Sequence, residues 1–149
     1  LGVVHTPLGT LGLYICADAT AHGNTLSNSL AYMGADIILS PSAWAVPPDF
    51  DPVATPYGDT WRKVYQPVSS RFGLWVASVS NVGKIEAGPW KDWDCIGASL
   101  VYNANGEEVL QAPYGTKADT ILYIDVALKD RPARGTTWNK YWEQQDTAH

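Results

Sequence analysis

Along the first third of the chain the apolar positions switch between two periods, and the switch predicts a strand, a helix and a second strand. Gly12-Leu13-Tyr14-Ile15-Cys16 is a short β-favouring run, and the small and polar residues of 17–24 mark a sharp turn behind it. Over 25–33 the spacing of Leu26, Leu30 and Met33 is helical; Asn24 or Thr25 suits the N-cap, and Gly34 suits the position after the last turn. Residues 36–40 contain Ile37-Ile38-Leu39, a buried-strand run that Pro41 is expected to stop. That order makes a βαβ unit.

Residues 45–58 hold four prolines and several Asp and read as a long loop, of the kind that often lines a pocket. Trp61, Val64, Tyr65 and Val68 restore helical spacing over 60–71, where Pro67 is expected to kink or restart the helix. Leu74, Val76 and Val79 place a strand over 74–80, ending at Asn81-Val82-Gly83. From residue 98 onward the helical period disappears. Residues 99–102 and 108–111 read as a hairpin around Asn105-Gly106, and 120–126 as a further strand with apolar residues on both faces. The tail over 129–149 is polar apart from Trp138, Tyr141 and Trp142, and is either an arm or disordered. The expected fold class is α/β with a mixed sheet, as one domain over 1–128 followed by that arm. An opening that falls almost directly on an apolar strand, with no helix to cover it, suggests the continuation of an upstream layer.

Composition then narrows the function classes. With 149 residues and 46% hydrophobic composition the chain can bury one core, not two. The net charge is -5 and no run of Lys or Arg could neutralise a row of phosphates, which argues against nucleic acid. The apolar runs are strand-sized, far short of the ~20 residues that span a bilayer, and residues 1–10 lack the basic start of a signal peptide. A soluble, cytoplasmic protein is the expectation. Cys16 and Cys95 share no CxxC or Cys/His spacing, so two free thiols are expected rather than structural zinc. Seven Trp and eight Tyr carry N–H and O–H groups that need partners, as in pockets, interfaces or an aromatic core.

Cys16 sits where a strand meets a turn that leads into a helix, a geometry that lifts a side chain from the sheet and leaves backbone N–H groups beside it. Those N–H groups suit a thiolate or an oxyanion, although a lone Cys after an apolar strand is more commonly an inert core thiol. The wider order of motifs singles it out. Thr6-Pro7-Leu8-Gly9-Thr10-Leu11-Gly12 leads into Ile15-Cys16-Ala17-Asp18, Gly34-Ala35-Asp36 precedes Pro41-Ser42-Ala43-Trp44, and Ser80-Asn81-Val82-Gly83 is followed by Gly97-Ala98-Ser99 and Gly106-Glu107. In this order and spacing the segments resemble the nitrilase superfamily of carbon-nitrogen hydrolases, over roughly residues 3 to 127.

The resemblance implies half of an αββα sandwich with a mixed sheet, and hydrolysis of an amide or nitrile through a thioester on Cys16, with the backbone N–H of Ala17 holding the oxyanion. It implies no cofactor or metal. The family's Glu and Lys lie upstream of the Cys and have no match here, so the chain is expected to be inactive alone, completed by an N-terminal half or within a homo-oligomer. The family's continuation Arg-Phe-Pro-Glu is replaced by Thr20-Ala21-His22-Gly23, which leaves the substrate open. Ser42 and Trp44 are expected to line the pocket, because consecutive parallel strands end on one edge, and Asp18 to shape the Cys turn through local N–H bonds. Glu107 and Glu108 flank a hairpin and are expected to be solvated; His22 lacks a third partner for a metal site. Cys95 is expected to be structural, and Trp90 and Trp93 to form a lid or an interface. The alternative to an enzyme is a truncated, non-catalytic relative that binds a partner through its uncovered sheet; an aromatic-rich carbohydrate-binding sandwich is disfavoured by the βαβ start.

Overall fold

The apolar runs that end near Cys16, Ser42 and Ser80 lie side by side in one sheet. A computed structural model describes residues 1–130 and 138–146. In chain order its strands are β1 (Val3–Thr6), β2 (Gly9–Leu13), β3 (Ile37–Ser42), β4 (Ala45–Val46), β5 (Trp75–Ser80), β6 (Val82–Lys84), β7 (Asp94–Ile96), β8 (Leu100–Tyr102) and β9 (Glu108–Gln111). Its helices are α1 (Thr25–Tyr32), α2 (Asp59–Phe72) and α3 (Trp138–Asp146). The main sheet runs β1-β2-β3-β5-β8-β9, and a three-stranded sheet runs β4-β7-β6. Pairing is parallel for β2/β3 and β3/β5 and antiparallel elsewhere, so the sheet is mixed.

One face of the main sheet is packed by α1 and α2. Leu30 and Ala31 from α1, with Tyr65, Val68 and Phe72 from α2, join Ile38, Val76, Leu100 and Tyr102 in a single buried cluster. The i, i+3, i+4 spacing of Trp61, Val64, Tyr65, Val68 and Phe72 turns one side of α2 onto that face. Gly12 permits the close approach of α1: a Cβ there would stand 3.2 Å from the Ala35 Cβ and 3.3 Å from the Leu30 Cδ1. The hairpin β8/β9 turns at Asn103-Ala104-Asn105-Gly106, where the Asn103 side chain accepts the amides of Asn105 and Glu107 and Gly106 takes φ 79°.

The opposite face has a smaller cluster of Trp75, Val101 and Ala104, with Ile37, Ala77 and Leu110 against it. Among the described residues, the extended segment over 118–130 crosses it. Trp75 Nε1 donates to the Ala127 carbonyl at 2.8 Å, and a cleft of about 380 Å³ stays open between Ile121, Leu122 and Ile124 and the sheet.

Several expectations need correction. Residues 120–126 form no strand, since among the described residues no neighbouring strand offers their backbone a ladder; Ile121 is 78% exposed and Tyr123 90% exposed. Strand β2 ends at Leu13 rather than Cys16. Pro41 does not stop β3, which continues to Ser42 opposite Ser80. Pairing of β2 with β3 ends at Leu39, so the side on which Pro41 lacks an N–H has no strand to receive one. Pro67 neither breaks nor restarts α2, since it lies on the exposed side, where water can satisfy the carbonyl it leaves free. In the tail, 138–146 are helical, and Trp142 is buried with its ring 5.1 Å from Phe72 and 5.6 Å from Tyr32. Trp138 as a docking side chain lies outside the described residues.

Candidate active site

The parallel strands β2, β3 and β5 end on one edge, and the chemistry-bearing residues collect there. Behind β2 the backbone runs extended through Ile15 (φ -121°, ψ 124°) and then flips to φ 45° at Cys16, which opens a 3₁₀ turn over Cys16–Thr20. Positive φ at a residue with a Cβ costs about 1–2 kcal/mol and needs an outside constraint. Asp18 supplies it: its carboxylate accepts the Ile15 amide at 2.9 Å, while its own amide donates to the Ile15 carbonyl at 2.9 Å. The amides of Cys16 and Ala17 precede this first bonded turn, so the turn itself gives them no acceptor.

Cys16 is half-buried and packs against the helix-side cluster, whereas Ala17 and Asp18 are exposed. Tyr65 belongs to that cluster and Tyr57 packs against it. Burial pushes the Tyr57 and Tyr65 phenols up from their ordinary range, and the charge of a Cys16 thiolate pushes in the same direction. Both phenols therefore stay neutral near pH 7. Tyr65 donates to Ser78 Oγ at 3.0 Å, and Ser78 Oγ lies 3.5 Å from Ser42 Oγ, which joins the ends of β3 and β5 beneath the Cys turn. Among the described residues no acid or base hydrogen-bonds to Cys16, and no three of His, Cys, Asp and Glu gather as metal ligands would.

Trp44 is 1% exposed. Its amide donates to Ser80 Oγ at 3.0 Å, its indole stacks on Trp61 at 4.6 Å, and its Nε1 has no hydrogen-bond partner. The small sheet extends from the same edge. Its β6/β7 connection closes where Ile85 N donates to the Trp93 carbonyl and Asp92 N to the Ile85 carbonyl, both at 2.8 Å, which brings Trp90 and Trp93 over Trp44. Cys95 on β7 pairs with Ala45, and burial, with Asp94 beside it, pushes its thiol up. Glu108 is not simply solvated: it takes a two-pronged contact from Arg62, with Nε at 2.7 Å and Nη2 at 3.2 Å. His22 is exposed.

The structure thus brings Cys16, Asp18, Ser42 and Trp44 to one edge. Sequence reading missed Tyr57, Trp61, Tyr65 and Ser78 as their neighbours. The spacing of Trp61 and Tyr65 on one side of α2 was the available signal, and it reads equally well as core.

Several solved structures share this fold. A carbon-nitrogen hydrolase from Helicobacter pylori G27 is 24% identical with a TM-score of 0.65, covering 78% of this chain and 41% of its own. The glutamine-dependent NAD+ synthetase of Acinetobacter baumannii is 21% identical with a TM-score of 0.61, covering 94% of this chain and 25% of its own. An amidase from Nesterenkonia sp. AN1 is 18% identical with a TM-score of 0.55, covering 76% of this chain and 38% of its own. No curated protein sequence gives a match. The chain therefore spans well under half the length of these solved relatives, and its helix-covered mixed sheet is half of the nitrilase-type αββα sandwich. The sequence profile of the carbon-nitrogen hydrolases matches residues 1–133, and the chain belongs to that family.

Proposed function

We propose that this chain carries the nucleophile of an enzyme that hydrolyses an amide or nitrile, with Cys16 as the attacking group. The observation that carries the reading is the left-handed backbone of Cys16, held by Asp18 at the end of a central parallel strand. Strain at a half-buried thiol with free amides beside it is what an acyl-transfer nucleophile needs. The Nesterenkonia amidase is described with acrylamide added to its active-site cysteine, a like reactivity in a relative of the same fold.

For an amide, the Cys16 sulfur bonds to the carbonyl carbon after its proton passes to a general base. The Ala17 amide donates to the oxyanion. The carbon–nitrogen bond then breaks and the proton leaves on the amine. Water adds to the thioester carbon, the carbon–sulfur bond breaks, and the thiol is restored with release of the acid. The general base and a cationic oxyanion partner are a Glu and a Lys from polypeptide outside these residues, because Glu108 is engaged by Arg62 and, among the described residues, no acid or base bonds to Cys16. That polypeptide, an N-terminal half or a neighbouring subunit, also covers the open sheet face; the chain alone is inactive. Ser42 lines the substrate's approach.

Competitive labelling with iodoacetamide and peptide mapping tests the nucleophile. Cys16 is expected to react at least about tenfold faster than Cys95, whose thiol is buried and pushed up. Ammonia release after complementation with a Glu- and Lys-bearing half is expected to fall by roughly 10⁴-fold or more in Cys16→Ala. Equal labelling, or activity that survives Cys16→Ala, overturns the assignment.

A further inference from the structure

Behind the end of β3 lies a cavity of about 140 Å³ with walls of indole and phenol: Trp44, Tyr57, Trp61, Trp90 and Trp93, with Ala43 and Ala45 leaving room between them. Three elements build it independently. Trp44 follows β3, Tyr57 and Trp61 come from the entry to α2, and Trp90 and Trp93 come from the β6/β7 connection. The walls are flat: Trp44 stacks on Trp61 with 8° between planes, Trp90 stacks on Trp93 with 26°, and Tyr57 accepts a 3.4 Å contact from the Trp61 indole N–H at its hydroxyl. Tyr57 and Trp61 pack on the same buried cluster as Cys16, so the cavity and the thiol adjoin one core.

We propose that this cavity receives a single neutral aromatic ring of the substrate, and that the enzyme acts on ring-bearing amides rather than on small aliphatic ones. The inference rests on the nucleophile assigned above and adds the substrate class. Volume supports it, since about 150 Å³ of apolar space takes one benzene ring, and here the space opens to solvent beside the exposed Trp90. Charge supports it too. Aromatic cages also bind quaternary ammonium, but no carboxylate lines this one, so a cation would lose its hydration without a counter-ion. A ring loses little water and gains offset or edge-on contacts with several indoles.

Two measurements on the full chain separate ring binding from thiol chemistry. Benzamide titrated into Cys16→Ser is expected to quench tryptophan fluorescence saturably, and the effect to vanish in Trp93→Leu, which keeps apolar bulk without the flat wall. No saturable quenching overturns the proposal whatever the thiol does. In wild type, N-benzyl iodoacetamide is expected to alkylate Cys16 about tenfold faster than iodoacetamide, after each rate is divided by that with free glutathione. Trp90 is 58% exposed, so Trp90→Ala keeps the fold, and the preference is expected to fall to about twofold there. A preference unchanged in both variants, no preference, or a faster trimethylammonium reagent overturns it. Saturable quenching with an unreactive Cys16 supports the ring site and removes only the nucleophile.

Discussion

Ile38 and Leu39 are consecutive residues of similar size on the same central strand, yet they meet different surroundings. Ile38 is fully buried under α1 and α2, whereas Leu39 is 37% exposed on the other side. The contrast extends across the sheet. Register places Gly12, Ile38 and Val76 in one row beneath the helices and Leu13, Leu39 and Ala77 in the next row on the open face, with Val79 further along. Leu13 is 55% and Val79 63% exposed. A β-strand sends alternate side chains to opposite faces, and an antiparallel sheet with one wet face would put polar residues there. Here both faces are apolar at the parallel centre. The sequence is written for a sheet covered twice, and the described residues cover it fully once.

The comparison can be broken most directly by truncating both residues. Ile38→Ala is expected to destabilise the fold by about 2–5 kcal/mol, the range for an enclosed core side chain, read from the denaturant midpoint. Leu39→Ala is expected to cost about 1 kcal/mol or less in the isolated chain. If the two losses are equal, the open face is already packed and the contrast fails. Leu39→Lys sharpens the point. It is expected to leave the isolated chain's midpoint nearly unchanged but to weaken the proposed assembly over this face by at least about 100-fold in dissociation constant, read by light scattering, because a charge would be buried without a partner. Unchanged assembly in Leu39→Lys would mean that the covering polypeptide sits elsewhere.

Much of this was legible in the sequence, for reasons that also explain what was not. The βαβ start, the second helix and the Asn-Gly hairpin show clear periods and turn residues, and the Cys16 turn stood out through its place in an ordered set of motifs. Strands β4, β6 and β7 are two or three residues long, too short for any period to register. They fold Trp90 and Trp93 onto Trp44, so the aromatic cavity was invisible as a unit. Residues 120–126 have strand propensity but lack a ladder among the described residues, and propensity alone does not pair a backbone. The need for a second cover could be read from Ile37-Ile38-Leu39, since a run apolar at every position has no wet side.

The smallest expected effect lies on the helix-covered side, where α2 is tied to β9 by charge as well as by packing. Arg62 Nε stands 2.7 Å from Glu108 Oε2, and Tyr102 donates to the same oxygen at 3.1 Å. Arg62 first, and Tyr102 after it, hold the Glu108 carboxyl below its ordinary range, while Glu108 holds the guanidinium up. A carboxyl whose folded pKa is depressed contributes stability that is present above its unfolded pKa and fades as pH falls through the folded one. Glu108→Gln is therefore expected to cost about 0.5–1 kcal/mol near pH 7, the size of a partly exposed two-pronged pair. The difference from wild type should shrink as pH drops below about 4. Urea midpoints across pH 3–7 decide it. A difference that stays constant over that range would assign the loss to packing rather than charge, and would leave the Arg62–Glu108 pair with no part in holding α2 to β9.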